Sequence, residues 1–352
     1  MNPGTPHLHI GDRRVSIEDP PFIIAEIGVN HDGSVERAID LVHAAANAGA
    51  DAVKMQWFEA KRLVGERGSV AAYQRRSGFR DQAKMLSDLE LSAGEMAKVV
   101  EAAQQAGIAS MVTVFSTELV DAARALDWDA WKTASPDLVH RPLLEALAED
   151  GRPMLVSTGA SELDEVVRAR DWLSGSETGF LHCVSAYPTP QGAAALSGIQ
   201  AIAAATGRPC GYSDHTAETT TGGLAVAAGA CILEKHLTWS REAEGPDHVA
   251  SMEPEGLGSY VDFVRRAHGA MGEDGKSIGD LERDVRRVAR QSLRAAVDLP
   301  KGAILSSGDL VVKRPGDGLE PWRLPEIVGR RVLRVIPADQ AIRIEDLEEV
   351  HS

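Results

Sequence analysis

The chain has 352 residues, of which 37 are Lys or Arg and 52 are Asp or Glu, giving a formal net charge of −15 at pH 7. This length exceeds the roughly 100–200 residues of an ordinary domain, so one large domain with an appendage, or two medium domains, is expected. The negative charge argues against a general nucleic-acid surface, because phosphate contacts need clustered cations. An anionic substrate would therefore need a locally positive pocket.

The cysteines and the apolar segments favour a cytoplasmic protein. Three cysteines, an odd number, lie in apolar strand-like segments, which favours buried thiols over a disulfide framework: Cys183, Cys210 and Cys231. The first 20 residues lack the apolar run of a secretion signal, and no segment approaches the ~20 apolar residues that span a bilayer. We therefore expect a reducing compartment and no membrane partner.

Short apolar runs alternate with Ala-rich helical patterns over the first 270 residues. Strands are predicted at 22–27, 51–56, 108–114, 130–134, 153–157, 179–184, 209–213 and 231–236. Helices are predicted at 34–48, 92–106, 117–126, 140–149, 162–173, 197–206, 217–228 and 255–271. Eight such units in about 250 residues predict a closed α/β barrel of the (β/α)₈ type, and no GxGxxG of a dinucleotide-binding sheet follows the first strand.

The other segments predict a lid, a linker and a second domain. Segment 57–90, after the second strand, is long enough to cover an active site. The barrel is assigned to 1–272, a charged linker or connecting helix to 273–289, and a small β-rich domain to 290–352. In this last domain, short β-type runs (SLRAAV, AILSS, LVVKRP, RRVLRVI and QAIRI) are separated by PKG, PGDG and PAD turns.

Polar residues stand at or just beyond the end of all eight predicted strands. They are Glu26, Asn30, His31, Lys54, Gln56, Thr113, Lys132, Ser135, Ser157, Thr158, His182, Ser185, Tyr187, Ser213, Asp214, His215, Glu234, Lys235 and His236. In barrels of this type the catalytic groups project from the carboxyl ends of the strands. We therefore expect these residues to converge on one face and form an active site.

Two features of this ring predict specific ligands. Lys54 and Lys132 place cations on nearby strands, and 157–159 (STG) precedes a helix whose free N–H groups suit a phosphate. His215 and His236 end adjacent strands and could share one divalent ion, with water and substrate oxygens in the remaining positions. The sequence thus predicts an anionic phosphate ligand beside an open metal site.

Each feature also has a purely structural interpretation. A strand-end lysine is often a solvated charge or an ion-pair partner, and strand-end histidines often only cap hydrogen bonds. Glu234 is open to a structural role, and His182 and Cys183 are expected to be packed core groups. Trp57 and Trp239 flank the ring, either as lid or sugar-stacking residues or as simple cover for the rim of the barrel.

Nine segments, taken together and in order, resemble the N-acetylneuraminate (sialic acid) synthase family, including its legionaminic and pseudaminic acid synthase relatives. They are AEIGVNH at 25–31, AVKMQ at 52–56, KTAS at 132–135, STGAS at 157–161, LHCVSAYPTP at 181–190, GYSDHT at 211–216, EKH at 234–236, GPDH at 245–248 and KRPG at 313–316. The resemblance covers nearly the whole chain. It implies a (β/α)₈ TIM barrel followed by an antifreeze-like (SAF) domain, in a domain-swapped homodimer.

The resemblance also implies a reaction and roles for residues. Phosphoenolpyruvate would condense with N-acetylmannosamine or a related acylamino hexose, with C–O cleavage. Phosphoenolpyruvate would be bound by Lys54, Lys132, Ser135, Ser157, Ser185, Tyr187 and Ser213. The sugar would be bound by Glu26, Tyr187, Asp247 and, from the partner subunit, the partner's Arg314. A divalent ion, typically Mn²⁺ with Mg²⁺ or Co²⁺ as alternatives, would be held by His215 and His236. The catalytic set would be Glu26, Lys54, Lys132 and Glu234, with Glu234 positioning a water.

The sequence departs from the family pattern at two positions. Ser185 stands where many sialic acid synthases have Asn, and SAY at 185–187 is more similar to relatives that use other nonulosonic acid precursors. Val114 replaces a residue that is often Pro. The sequence therefore specifies the reaction better than it specifies the sugar.

Two other functions are compatible with parts of the pattern. A barrel aldolase would use Lys54 or Lys132 to form a Schiff base with pyruvate, since a strand-end lysine also suits that chemistry. A non-catalytic carbohydrate- or ice-binding protein would be built around the C-terminal domain, but it has no use for a polar ring on eight strand ends.

Overall fold

The computed structural model describes residues 4–63, 82–272 and 276–349. Its contacts divide the chain into two compact units, Met1–Glu273 and Asp274–Ser352. Among the described residues, none of the helices is both long and apolar enough to cross a membrane.

The first unit is built on a closed barrel of eight parallel strands, numbered β3 to β10, in which β10 pairs with β3. The strands are β3 (Phe22–Glu26), β4 (Ala52–Trp57), β5 (Ala109–Val114), β6 (Ala130–Thr133), β7 (Met154–Ser157), β8 (Thr178–Cys183), β9 (Cys210–Asp214) and β10 (Ile232–His236). Every predicted strand is present, and each predicted bound lies within one residue of the observed one. The prediction of a (β/α)₈ barrel is confirmed.

Helices follow the strands around the outside of the barrel. They are α1 (Val35–Asn47), α2 (Ala60–Leu63), α3 (Gln82–Ser87), α4 (Ala93–Ala106), α5 (Val120–Arg124), α6 (Arg141–Ala148), α7 (Leu163–Trp172), α8 (Ser197–Thr206), α9 (Thr221–Ala227) and α10 (Pro254–Met271). Local signals set the ends of several helices: Ser92 and Glu95 form a capping box at the start of α4, and Gly107 ends it in the left-handed conformation. The predicted helix 217–228 begins only at Thr221, whose hydroxyl oxygen lies 3.0 Å from that of Thr216 in the preceding loop.

An N-terminal hairpin that the sequence analysis did not predict closes the amino end of the barrel. Its strands are β1 (His7–Ile10) and β2 (Arg13–Ser16). Leu8 and Ile10 are buried against the inward-facing apolar residues near the starts of the barrel strands. Gly179 makes room for this contact, because a Cβ there would lie 2.8 Å from Leu8 Cδ2. With this end filled by apolar groups, only the carboxyl end of the barrel is polar.

Part of the predicted lid 57–90 is described. Phe58 and Met85 form a small apolar cluster with Val29 and Leu89 beside the barrel. Residues 64–81 of the predicted lid lie outside the described residues.

The second unit has its own small core. It contains α11 (Asp280–Ala289), β11 (Ser292–Ala295), β12 (Leu310–Lys313) and α12 (Leu324–Ile327), and β11 pairs with β12. The other predicted β-type runs pair only through isolated bridges such as Leu299 with Ile336. Within the predicted linker 273–289, residues 273–275 lie outside the described residues and most of the remainder is α11.

Candidate active site

A pocket with a volume of about 410 Å³ lies at the carboxyl ends of the barrel strands. It is lined by Lys54, Gln56, Thr113, Phe115, Lys132, Ala134, Ser135, Pro136, Ser157, Ser185, Tyr187, Ser213, His215, Glu234, His236 and Asp247. The structure thus brings together every residue to which the family resemblance assigns a role, except Glu26 and Arg314. Phe115, Ala134 and Pro136 were missed by the sequence analysis, because an apolar wall gives no chemical signal.

The alternation of side chains along each strand selects the residues that face this pocket. In β4, Lys54 and Gln56 point inward, whereas Val53, Met55 and Trp57 point outward into the apolar core between strands and helices. This follows from the two-residue period of a strand. Trp57 is only 4% exposed, so the interpretation of Trp57 as a lid residue is wrong.

Two lysines and two glutamates form a buried charge cluster in the pocket. Lys54 is ion-paired with Glu26, and its Nζ lies 3.6 Å from Glu234 Oε1. Lys132 Nζ lies 3.7 Å from Glu234 Oε2. Burial raises the pKa of Glu26 in spite of Lys54, whereas at Glu234 the ammonium groups of Lys132 and Lys54 outweigh burial and lower the pKa. The two ammonium groups thus face one firmly ionised carboxylate, Glu234, and a second, Glu26, whose ionisation is opposed by burial, which suits a pocket for an anion.

Hydroxyl groups surround Lys132 on one side of the pocket. Lys132 Nζ donates to Ser157 Oγ at 2.5 Å and to the Thr133 carbonyl at 2.8 Å. The hydroxyl group of Ser135 accepts a hydrogen bond from Gly159 N at 3.0 Å. Ser185 Oγ would lie only 2.4 Å from a Cβ on Gly159, so glycine is required for these hydroxyls to approach the backbone. We call Ser135, Ser157, Ser185 and Gly159 the hydroxyl cradle.

The helix that follows the cradle does not supply the predicted phosphate site. Helix α7 begins only at Leu163, and its N-cap residue is Glu162, which forms a capping box with Glu165. Glu165 Oε2 accepts from Glu162 N at 2.8 Å, and both carboxylates lie at the positive end of the helix, where they would repel an anion. This part of the prediction is wrong, and the cationic and hydroxyl side chains are left as the anion-binding groups.

His215 and His236 lie side by side in the pocket, with ring centroids 5.5 Å apart. His215 Nδ1 contacts the Val184 carbonyl at 2.8 Å, which fixes the ring with Nε2 toward Ser213 and the pocket. Burial lowers the pKa of His215 to about 4 and that of His236 well below its usual range, so both rings are neutral and keep a lone pair for a metal.

The two imidazoles fit an open metal site with few protein ligands. Among the residues in 4–63, 82–272 and 276–349, there is no group of three or more His, Cys, Asp or Glu residues placed to hold a metal ion. Asp247 Oδ2 lies 3.7 Å from His236 Nδ1, too far for a hydrogen bond. A divalent ion held by His215 and His236 would therefore take its other ligands from water and substrate oxygens.

Comparisons with known proteins place these features in a family. Residues 41–276 match the NeuB family, and residues 290–348 match the SAF domain. The chain belongs to the NeuB family. The predicted resemblance to sialic acid synthases is thereby confirmed, as is the SAF domain at the C-terminal end.

Similar proteins cover almost all of this NeuB-family chain. N,N'-diacetyllegionaminic acid synthase of Legionella pneumophila is 37% identical over 336 residues, which cover 93% of this chain and 94% of that protein. The Campylobacter jejuni protein of the same name is 35% identical over 329 residues, covering 92% and 98%. The crystal structure of N-acetylneuraminic acid (sialic acid) synthetase from Leptospira borgpetersenii in complex with citrate is 29% identical, with a TM-score of 0.74, and covers 80% of this chain and 95% of that one.

Asp214 and Lys235 face away from the pocket of this NeuB-family barrel, so their predicted place in the active-site ring is wrong. They alternate with the pocket-lining residues of β9 and β10, and they form a fully buried ion pair with Lys235 Nζ 3.2 Å from Asp214 Oδ1. Asp214 Oδ1 also accepts from Thr216 N and Thr216 Oγ1, at 2.8 and 2.7 Å. The pair thus fixes the strand ends that carry His215 and His236.

A second buried network holds the loop that carries Asp247. His248 Nε2 contacts Asp32 Oδ1 at 2.7 Å, and His248 Nδ1 contacts Thr238 Oγ1 at 2.7 Å. Trp239 is 48% exposed and donates from Nε1 to Asp32 Oδ2 at 3.1 Å. The sequence analysis missed Asp32 and His248 because they are far apart in the chain.

Six other predicted residues lie outside the pocket lining: Glu26, Asn30, His31, Thr158, His182 and Arg314. Thr158 Oγ1 donates to the Leu181 carbonyl and His182 Nε2 contacts the Ala194 carbonyl, both at 3.0 Å. Asn30 donates to the Leu237 carbonyl and to Ser251 Oγ at 2.9 and 2.8 Å, so it ties loops together. His31 is likewise buried, and His31 Nδ1 accepts from Gly33 N. Glu26 is fully buried behind Lys54 and accepts from Gln56 Nε2 at 3.2 Å. Arg314 directly follows β12 in the second unit and is exposed.

Proposed function

We propose that this NeuB-family chain condenses phosphoenolpyruvate with an N-acetylated amino sugar and water to give a nonulosonic acid and phosphate. One observation carries the proposal: Lys54, Lys132, His215 and His236 line the same pocket. Cations for an enol phosphate therefore lie beside imidazoles for a divalent ion. No other reaction considered above uses both sets of groups.

For the sugar, we propose an acylamino hexose, with a diacetamido deoxyhexose favoured over N-acetylmannosamine. The relatives from Legionella pneumophila and Campylobacter jejuni are both named N,N'-diacetyllegionaminic acid synthase. Ser185 in the hydroxyl cradle supports the same choice, because the SAY sequence at 185–187 departs from the pattern of many sialic acid synthases. Asp247, Tyr187 and Glu26 stay predicted sugar contacts.

The pocket provides fixed donors for the two charged ends of phosphoenolpyruvate. Lys132 and the hydroxyl cradle would bind the phosphate, and Lys54 would offset the negative charge of the carboxylate. Lys54 also donates to Thr113 Oγ1 at 3.2 Å. Lys54 is 5% exposed and Lys132 is 2% exposed, so water screens their charge little. Donors fixed in place before the reaction cost no reorganisation when charge develops.

The bond changes follow from the chemistry of the enol phosphate. A divalent ion on His215 and His236, proposed to be Mn²⁺ with Mg²⁺ or Co²⁺ as alternatives, would supply Lewis-acid polarisation of the sugar aldehyde oxygen. A bond forms between C3 of phosphoenolpyruvate and the aldehyde carbon, and positive charge develops at C2. Water adds at C2, and the bond from C2 to the phosphate oxygen breaks. One proton of the water ends on the hydroxyl group formed from the aldehyde oxygen, and the other ends on phosphate. The water oxygen becomes the carbonyl oxygen at C2.

We propose that Glu234 orients that water. Ser213 Oγ donates to Glu234 Oε1 at 3.0 Å. Within the part of the chain that the structure describes, no hydrogen-bond donor reaches the buried Glu234 Oε2. A buried carboxylate oxygen without a donor is rare in folded proteins, and a bound water would satisfy it. We therefore assign Glu234 to water positioning.

Phosphate release tests the proposal. The purified chain is incubated with Mn²⁺, phosphoenolpyruvate and one of a set of sugars: N-acetylmannosamine, N-acetylglucosamine or a diacetamido deoxymannose. We expect stoichiometric release of phosphate with a mannose-configured sugar, and loss of that release with a chelator. Release that does not depend on the sugar, or no release with any sugar, would contradict the proposal.

A Schiff-base aldolase is the second candidate function. One observation favours it: burial lowers the pKa of Lys132 and so favours the neutral amine that a Schiff base requires. Lys54 is less suited, since the carboxylates of Glu234 and Glu26 outweigh burial and raise its pKa. Borohydride added with pyruvate distinguishes the two functions: covalent pyruvate on lysine supports the aldolase, and an unmodified protein supports the synthase.

We further propose a cytoplasmic, domain-swapped homodimer in which the SAF domain supplies Arg314 to the sugar. The support is the resemblance of KRPG at 313–316 to the family pattern. Sedimentation of the purified chain at the mass of one copy would contradict this assembly.

A further inference from the structure

Cys183 lies directly behind the hydroxyl cradle. It is the last residue of β8 and is 4% exposed. Its Sγ lies 3.0 Å from Ser135 Oγ. Ser135 lines the pocket, whereas Cys183 is absent from the pocket lining. The thiol therefore contacts the pocket lining through its hydrogen-bond partner Ser135.

The hydrogen bonds around Ser135 can be counted. A serine hydroxyl donates one proton and accepts with two lone pairs. Gly159 N donates to Ser135 Oγ at 3.0 Å and so occupies one lone pair. If the Cys183 thiol donates to the other, the Ser135 proton is left to point into the pocket. If Ser135 donates to the sulfur instead, it presents a lone pair to any anion that binds.

The surroundings of Cys183 favour the first arrangement. Burial raises the pKa of the Cys183 thiol, so it keeps its hydrogen. Sulfur is a weak acceptor, and an anionic oxygen in the pocket is a much stronger one for the Ser135 hydroxyl. The close packing at Gly159, where a Cβ would lie 2.5 Å from the sulfur, keeps the thiol in this place.

We propose that Cys183 is a positioning residue that donates its thiol hydrogen to Ser135 and thereby turns the Ser135 hydroxyl toward the phosphate of phosphoenolpyruvate. The proposal rests on the proposed function, in which that substrate occupies this pocket. It extends the binding machinery by one residue that does not touch the ligand. It also explains why a thiol that the sequence analysis assigned to the core lies in contact with a cradle of hydroxyls.

Binding of phosphoenolpyruvate, measured by calorimetry without sugar, tests the proposal. We expect Cys183→Ala and Ser135→Ala each to weaken binding by about tenfold, the effect of one hydrogen bond to a charged group. The double variant should bind as weakly as either single variant, because both changes remove the same oriented hydroxyl. Cys183→Ser should recover most of the affinity, since its hydroxyl can also donate.

A matched control is available in Cys231, another buried thiol, which is 2% exposed and whose Sγ donates to the Cys210 carbonyl. Cys231→Ala should bind phosphoenolpyruvate like the unaltered protein. In turnover assays, Cys183→Ala should raise the KM for phosphoenolpyruvate and change the KM for the sugar by less than about twofold. Two results would show a packing role and overturn the proposal. One is an equal rise in KM for both substrates in Cys183→Ala. The other is a loss of phosphoenolpyruvate affinity on Cys183→Ala that is as large in the Ser135→Ala variant as in the unaltered protein.

A spectroscopic measurement does not depend on any ligand or on the folding of Cys183→Ala. The infrared S–H stretch of Cys183, assigned by its loss in Cys183→Ser, should shift to higher frequency in Ser135→Ala, because the thiol loses its acceptor. An unchanged band would overturn the proposal. Failure of the unaltered protein to bind phosphoenolpyruvate, with the infrared shift present, would instead locate the error in the proposed function.

Discussion

Lys132 is the residue whose surroundings are most specific to an anion site. It is 2% exposed, donates to Ser157 Oγ and the Thr133 carbonyl, and has Glu234 as its nearby counter-charge. Unlike the buried Lys235, Lys132 lines the pocket, and its Nζ lies 3.7 Å from Glu234 Oε2, so part of its charge is left for an anion. Its charge is therefore best understood as part of ligand binding.

Lys132→Met tests this role. Removing the fixed cation should lower the rate of sugar-dependent phosphate release by at least about 100-fold, because one preorganised electrostatic donor is lost. Lys98→Met, at an exposed position on α4, is the control and should leave the rate unchanged. A normal rate in Lys132→Met would show that the cation takes no part in the reaction.

His236→Ala tests the metal site separately from turnover. Calorimetric titration with MnCl₂ should show loss of binding, because a single remaining imidazole cannot hold the ion, while circular dichroism should show the same fold. His43→Ala, at an exposed position on α1, serves as the control. Unchanged Mn²⁺ affinity together with an unchanged rate would refute the assignment of His215 and His236.

At the scale of elements, the sequence predicts the barrel strands correctly, but the directions in which some side chains point were predicted wrongly. Apolar runs between amphipathic helices specify buried parallel strands, so the eight strands were found from the sequence. Asp214 and Lys235 were placed in the active site because every polar strand-end residue was counted. The two-residue period of a strand already predicts that they face away from Ser213 and His236.

Other elements gave too little signal in the sequence. The hairpin of β1 and β2 has strands of four residues each, in which only Leu8, Ile10 and Val15 are buried apolar residues. So short a pattern cannot be told from a loop. The Asp32–His248 and Cys183–Ser135 contacts join residues far apart in the chain, and they depend on how the barrel closes.

Lys235→Met tests the role of β9 and β10 in holding the histidines. It leaves Asp214 buried without a counter-charge, and we expect the free energy of unfolding to fall by about 3–5 kcal/mol in urea denaturation. Adding Asp214→Asn should recover part of this loss, because the uncompensated charge disappears. Arg168→Met, which removes an exposed ion pair with Asp164, should cost no more than about 1 kcal/mol. If Lys235→Met lowered the free energy of unfolding no more than Arg168→Met does, the account would be contradicted.

At the scale of the whole molecule, a chain with a net charge of −15 is proposed to bind a strongly anionic substrate. The barrel supplies the positive charge that an anion needs, because Lys54 and Lys132 are buried together at its polar, carboxyl end. The SAF domain adds a second unit with its own core and an exposed Arg314. The first unit matches the NeuB family and the second matches the SAF domain. The proposed sugar contact of Arg314 would make both units serve the reaction.

Arg314→Ala tests the contribution of the SAF domain. We expect the KM for the sugar to rise by about tenfold or more, the effect of losing a charged hydrogen bond, while the KM for phosphoenolpyruvate changes little. Lys301→Ala, at an exposed position in the same unit, is the control. A sugar KM that stays the same in Arg314→Ala would refute this sugar contact.

The central claim is that the pocket adds water to C2 of phosphoenolpyruvate and breaks the bond from C2 to oxygen. Phosphoenolpyruvate carrying a heavy oxygen isotope at the bridging position, incubated with Mn²⁺ and a diacetamido deoxymannose, tests this claim directly. We predict that the released phosphate carries the label, as read from its phosphorus resonance. Unlabelled phosphate would mean cleavage between phosphorus and oxygen and would contradict the account.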